Sequence, residues 1–294
     1  MGLESLPCLT IAYLIDVHQD LHSRLQMAQF FDAVFIAQKE FVSAFRQAGC
    51  RYVNWLPLAC DAETHNANSK ARPYDVGFVG QLGMRGSQRY DTLSSVLPKY
   101  RTNDYLKYYP PREMGAVYGQ SKIVLNASIN SDVNMRVFEA MASGALLVTD
   151  RIGHGLSELF EEGTHYIGYS TISEALERIG YFLEKSAERE RIARAGQQVV
   201  LKNHTYLCRW ESIRQKSDGA YGQAPARSFS RAALGELYAA VFVALRQPWR
   251  LSQVCRRYGM SGQVAFLWLK SWGRWLNARI PLTPNAIKAR ILRQ

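Results

Sequence analysis

The sequence predicts an α/β protein with two Rossmann-like lobes, the amino-terminal one reduced, and a basic helical appendage at the carboxyl end. Three observations predict it. Short apolar runs, "LTIAYLID" (9–16), "AVFIA" (33–37) and "YVNWLPLA" (52–59), alternate with helix-length stretches, and a β-α-β order with short turns implies a parallel sheet covered by helices. A polar, poorly periodic segment, "CDAETHNANSKARP" (60–73), separates this series from a second one. The net charge of +11 is confined to one end: residues 227–294 hold twelve Lys or Arg and one acid, Glu236, whereas residues 1–226 hold 24 basic and 24 acidic side chains.

In the first series, the strand ending at Asp16 leads into a helix to about Gln29. After "AVFIA", the helix "KEFVSAFRQAG" closes on Gly49. The second series opens with a strand at 75–79 that runs into Gly80 and Gly83, a polar turn and a helix. "YLKYY" (105–109) reads as a strand, "REMGAVYGQS" as a helix and "KIVLNAS" as a strand. "NMRVFEAMASG" (134–144) reads as a short amphipathic helix with a glycine stop, followed by the strand "ALLVTD". "THYIGY" completes the unit, and the pattern from Thr171 to about Arg214 is helical throughout. The expected boundaries are a lobe at 1–60, a linker at 61–73, a lobe at 74–214, a linker at 215–228 and a basic Trp/Arg-rich helical region at 229–294.

No signal-peptide pattern and no run of 18 apolar residues is present, so the expected location is the cytoplasm, with the inner face of the cell membrane open to peripheral contact. The five cysteines are scattered without a CxxC pair and read as free thiols. His18 and His22 stand four apart but lack the glutamate of an HExxH helix, so no metal site is expected.

Chemistry in a parallel sheet gathers where the strands end. Gly80 and Gly83 let backbone N–H groups approach an anion, with Arg85 or Arg89 adding charge. The plain alternative is a turn with solvent-facing arginines. Asn134, Arg136 and Glu139 open the next helix, where Arg136 and Glu139 are three apart and face the same way. They form either an exposed ion pair of ~0.2–0.5 kcal/mol or a ligand site, the carboxylate accepting from a vicinal diol and the guanidinium gripping phosphate. In the ligand reading they lie beside the core face of Val137, Phe138 and Met141. Gly153 and His154 occupy the loop after "ALLVTD", whose glycines serve either a turn or a ligand.

In order, "YDVGFVGQLG", "YGQSKIVLNAS", "NMRVFEAMASGALLVTD" and "GLSELFEEGTHYIGY" resemble the donor-binding lobe of CgeB-type glycosyltransferases and their GT-B relatives, and the first series resembles the latter part of the partner lobe. The resemblance spans roughly residues 9–212. It implies a GT-B-like fold and transfer of a sugar from a nucleotide-diphosphate-sugar to a glycan, lipid-linked or protein acceptor, without metal or other cofactor. Glu139 then matches the glutamate that holds the ribose hydroxyls. Arg136 with Arg85 or Arg89 neutralises the diphosphate, Gly153 and His154 approach the donor, and Asp16 or His18 is the base or acceptor-side group. Many relatives carry a second glutamate eight positions before Glu139; here that residue is Ser131. The short first lobe and this serine favour the rival reading, a non-catalytic nucleotide-binding or scaffold protein.

The tail interleaves Trp249, Trp268, Trp272 and Trp275 with arginines. Two expectations stand for it: an anionic membrane surface, or packing on the first lobe in place of missing elements. A homodimer or protein partner is a further expectation, and nucleic acid is the least favoured partner.

Overall fold

The computed structural model describes residue 2 and residues 6–65, 71–221, 229–245 and 247–279. Residues 66–70 and 222–228 of the expected linkers, and 280–294 of the basic region, lie outside the described residues, as does the side chain of Trp275. The chain divides into two units, Met1–Ile36 with Phe41–Asn54 and Ser217–Gln294, and Ala37–Glu40 with Trp55–Lys216.

The first unit carries a sheet of order β1-β2-β3, with strands Ile11–Leu14, Ala33–Ile36 and Tyr52–Trp55. β1 and β2 are parallel, Ile11 opposite Ala33 and Leu14 opposite Ile36. Every residue of β2 is buried, as an apolar strand covered on both faces must be. Asp32 fixes the start of the pair by accepting from the Thr10 backbone N–H (2.8 Å) and hydroxyl (2.9 Å). Helix α1 (Leu21–Ala28) is capped by Asp20, and α2 (Val42–Gln47) ends beside Gly49, whose φ of +91° suits only glycine well.

The tail helices complete this unit's core. α11 (Arg231–Ala244), α12 (Leu251–Tyr258) and α13 (Gly262–Arg279) bring Leu237, Tyr238, Phe242, Leu251, Val254 and Val264 against Phe30 at the end of α1. The Tyr238 ring lies 4.7 Å from that of Phe30 and stacks on Tyr258 at 5.6 Å. Part of the appendage's apolar surface therefore belongs to the core of the first unit.

The second unit is built on a four-stranded parallel sheet, order β4-β5-β6-β7: Tyr74–Gly77, Ser121–Asn126, Leu146–Asp150 and Ile167–Tyr169. Around it lie α3 (Ala62–His65), α4 (Gln88–Val96), α5 (Pro111–Gly119), α6 (Met135–Ala142), α7 (Leu156–Leu159), α8 (Ile172–Glu184) and α9 (Ser186–Asn203), and α10 (Tyr206–Tyr221) begins here. Ser87 caps α4 and Thr171 caps α8, each accepting from the backbone N–H three residues on. Two expectations change. "YLKYY" forms no strand: Asp104 turns the chain, its carboxylate accepting from Leu106 N–H and its carbonyl from Lys107 N–H. Leu106 and Tyr108 are consequently 76% and 79% exposed, and Tyr105 alone packs on the core. The polar stretch after Cys60 contains α3, and Cys60 itself pairs with the turn between α9 and α10, donating to His204 carbonyl and accepting from Tyr206 N–H.

The five cysteines are free thiols, and burial pushes Cys50 and Cys60 up to about 11 and about 12. His204 is buried with its ring 4.9 Å from Phe160 and 5.8 Å from Phe138, and its Nδ1 accepts from Arg209 at 2.9 Å. Burial, then the Arg209 charge, lowers its pKa to about 4. Between about pH 6.5 and about pH 4 the unfolded chain binds a proton here that the folded chain refuses. Stability is thus expected to fall as pH drops through that window, and urea midpoints measured across it should fall less in His204→Asn.

Candidate functional site

The carboxyl end of β4 is prolonged by Phe78, whose N–H donates to Asn103 Oδ1 (2.9 Å) and whose carbonyl accepts from Asn103 Nδ2 (2.8 Å). The chain then turns through Gly80 (φ +132°) and Gly83 (φ +97°) into the Ser87 cap of α4. A side chain at Gly80 would be strained by the φ of +132°, and its Cβ would lie 2.6 Å from Arg136 Nη2, which would have to shift. Arg89, one residue into α4, folds back under the turn. Its Nε and Nη2 donate to Gln81 carbonyl (3.1 and 2.7 Å), and its Nη1 to Ala127 carbonyl after β5. Arg85 is exposed and is not brought to this site.

Arg136 arrives from the first turn of α6. Its Nε and Nη2 donate to Val79 carbonyl (3.3 and 2.7 Å) and its Nη1 to Asn126 Oδ1 (2.7 Å) at the end of β5. Asn134 Nδ2 donates to the same oxygen at 3.1 Å, and Asn134 Oδ1 is buried without a hydrogen-bond partner among the described residues. The two guanidinium groups share the Phe78 ring, 4.4 Å (Arg136) and 5.5 Å (Arg89) from its centroid. Burial and then the Arg136 charge push Arg89 down to about 10, so it is still a cation at neutral pH. Among the described residues, neither arginine makes a carboxylate ion pair. A guanidinium has five N–H groups; three of each are used by the bonds above.

Glu139 differs from the expectation of a residue beside the core. It is buried within it, 4% exposed, and makes no ion pair with Arg136 among the described residues. Its Oε1 lies 3.6 Å from His65 Nε2 of α3. Burial raises its pKa, opposed first by His65 and then by Arg136. His65 lay in the stretch read as linker, and its only sequence signal was a histidine four residues after a turn-forming Asp61.

A cleft of about 660 Å³ opens over the strand ends, lined by Gly83, Ser87, Arg89, Ser128, Asp150 and Tyr169 among others. Asp150 accepts from Ser128 N–H (2.9 Å) and hydroxyl, and Tyr169 hydroxyl donates to Asn126 carbonyl (2.6 Å). Arg151 also borders the cleft, but Glu162 and Glu174 neutralise it at 2.9 and 3.0 Å. Gly153 and His154 are exposed on the loop after β6; the next residue, Gly155, packs on Trp55, where a Cβ would approach to 2.7 Å. Asp16 and His18 lie in the first unit, in the 3-10 turn after β1, with Asp16 in a left-handed conformation (φ 51°).

Anabaena HepE in complex with UDP-glucose is similar in structure, with a TM-score of 0.55 at 15% identity, over 71% of this chain and 72% of that one. The same protein with UDP and glucose gives 0.57 at 15% identity, over 71% of each chain. Sucrose-phosphate synthase from Thermosynechococcus elongatus gives 0.53 at 12% identity, over 71% of this chain and 64% of that one. Such a likeness is one of fold, and the class it defines is the two-lobed α/β GT-B fold of glycosyltransferases. The profile of the family described as glycosyl transferase-like matches residues 67–215, half of the chain, and the chain belongs to that family. No curated protein matches the sequence.

Asn126 is the hub of this site, fully buried and bonded to Arg136, Asn134 and, through Nδ2, Thr149 hydroxyl at 2.9 Å. Asn126→Leu removes one hydrogen bond from each of the three partners and is expected to lower urea-unfolding stability by ~1–3 kcal/mol. An unchanged midpoint would remove Asn126 from that role.

Proposed function

We propose that the chain is a metal-independent glycosyltransferase of the CgeB type that moves a sugar from a nucleoside-diphosphate sugar to a glycan, lipid-linked or protein acceptor. The observation that carries the reading is the convergence of Arg89 and Arg136 on a glycine turn at the carboxyl edge of a parallel sheet, each with unused donors and no carboxylate partner among the described residues. Held cations of this kind stabilise the charge that develops on a departing diphosphate without reorganising. Glu139 accepts from the ribose diol through its carboxylate, while Gly153 and His154 approach the donor sugar or its phosphate. Asp16 and His18 are the proposed acceptor-side groups. HepE, a relative in fold, was solved with UDP-glucose, which makes a uridine nucleotide the first donor to test.

Calorimetric titration with uridine, guanosine, adenosine and thymidine diphosphates is expected to find one that binds. Arg89→Gln should weaken it about tenfold or more, as a hydrogen bond to a charged group contributes ~1.5–3 kcal/mol. Absence of binding by all four would overturn the reading. Binding without sugar transfer or donor hydrolysis would instead favour the scaffold reading, to which Ser131 in place of a glutamate already points.

A second proposal concerns the appendage, which we place on the inner face of an anionic membrane. No helix among the described residues is long and apolar enough to cross a membrane. Trp249, Phe266 and Leu269 are nevertheless 56%, 61% and 66% exposed, beside exposed Arg250, Arg256, Arg257 and Lys270, the pairing that suits a headgroup layer. Because α11 fills the first unit's core, truncation is a poor test. Phe266→Ser with Leu269→Ser is expected to reduce sedimentation with phosphatidylserine vesicles several-fold at unchanged thermal stability; equal partitioning would remove the membrane role.

A further inference from the structure

We infer that His65 is a positioning residue for Glu139, holding its carboxylate ionised and oriented for the ribose diol; this rests on the donor-site reading above.

The imidazole is oriented from behind. Asp61 begins a tight turn, its carboxylate accepting from Glu63 N–H (3.0 Å) and Thr64 hydroxyl (2.7 Å), while its carbonyl accepts from His65 N–H at 2.9 Å. The same carbonyl lies 2.9 Å from His65 Nδ1. A carbonyl can only accept, so Nδ1 carries a hydrogen in either charge state. That leaves Nε2, which has no hydrogen-bond partner among the described residues and lies 3.6 Å from Glu139 Oε1. Both side chains are nearly closed to solvent, 6% and 5% exposed.

Two bare lone pairs cannot face each other in such a place at low cost. One proton must therefore reside between Nε2 and Oε1. When it sits on the imidazole, Glu139 is a carboxylate with Oε2 left to accept from a ligand. The other ionisable groups facing the pair are Arg136 on α6, Tyr118 on α5, and Cys60, Asp61 and Tyr206 beside α3 and α10. Cys60 and Tyr118 are both pushed to about 12 and stay neutral near pH 7, and burial raises Glu139 against the opposing influence of His65 and Arg136.

α3 is a single turn, and its seat is a glycine. A Cβ on Gly115 of α5 would lie 2.1 Å from Thr64 carbonyl and 3.1 Å from His65 Cα. The backbone of α3 thus rests directly on α5, which fixes the distance from His65 to α6.

The test compares uridine diphosphate with its dideoxy analogue, which lacks both ribose hydroxyls, by calorimetry. The wild type is expected to prefer the ribose form about tenfold, and both Glu139→Gln and His65→Gln should abolish most of that preference. A partly misfolded variant loses both ligands alike, so the ratio isolates the diol contact; His65→Asn serves as a second variant of smaller size. His65→Gln combined with Glu139→Gln should reduce the preference no further than Glu139→Gln alone. If Glu139→Gln keeps the preference, the donor-site reading of Glu139 falls. If Glu139→Gln removes it while His65→Gln and His65→Asn retain it, or if the double variant is additive, His65 has no positioning role.

Discussion

The candidate site depends on two guanidinium groups sharing one phenyl ring. Arg89 and Arg136 repel each other, yet both are held beside Phe78 by backbone carbonyls at the ends of β4 and β5 and by the Asn126 side chain. That arrangement fixes much else. It favours a glycine at 80, where φ is +132° and the Arg136 guanidinium lies where a side chain would begin. It ties the first turns of α4 and α6 to neighbouring strand ends. It also leaves positive charge where no carboxylate partner is found among the described residues. An anion is the natural completion of such a site.

The strands and most helices were legible because their burial pattern is local: four consecutive buried residues in β2, or the buried Val137, Phe138 and Met141 in α6, follow from chemistry within one element. Arg136 and the glycine turn were legible for the same reason, since a helix start after a strand end is a local signal. Other features depend on contacts distant in sequence. His65 meets Glu139 across 74 positions, and its polar surroundings looked like a linker. Asn126 read as one residue of the strand "KIVLNAS"; its hub role needs Arg136 and Thr149 brought to it. "YLKYY" had the aromatic content of a strand, but the Asp104 turn exposes two of its side chains. The burial of Glu139 was hidden because it requires α3.

The basic tail shows how charge and apolarity can serve different ends in one segment. Its apolar side chains on α11 and α12 close the first unit's core around Phe30, while Arg231, Arg250, Arg256, Arg257 and Lys270 are exposed. Net charge alone therefore did not reveal that the segment is structural. What remains outward, aromatic and cationic side chains together, is the part available for a surface.

The most direct measurement is the ratio of affinities for uridine diphosphate and uridine in the intact chain. If Arg89 and Arg136 grip the diphosphate, the nucleotide is expected to bind at least about a hundredfold more tightly, the effect of two charge-assisted contacts at ~1.5–3 kcal/mol each. Equal affinity for the two would contradict a diphosphate site at the guanidinium pair.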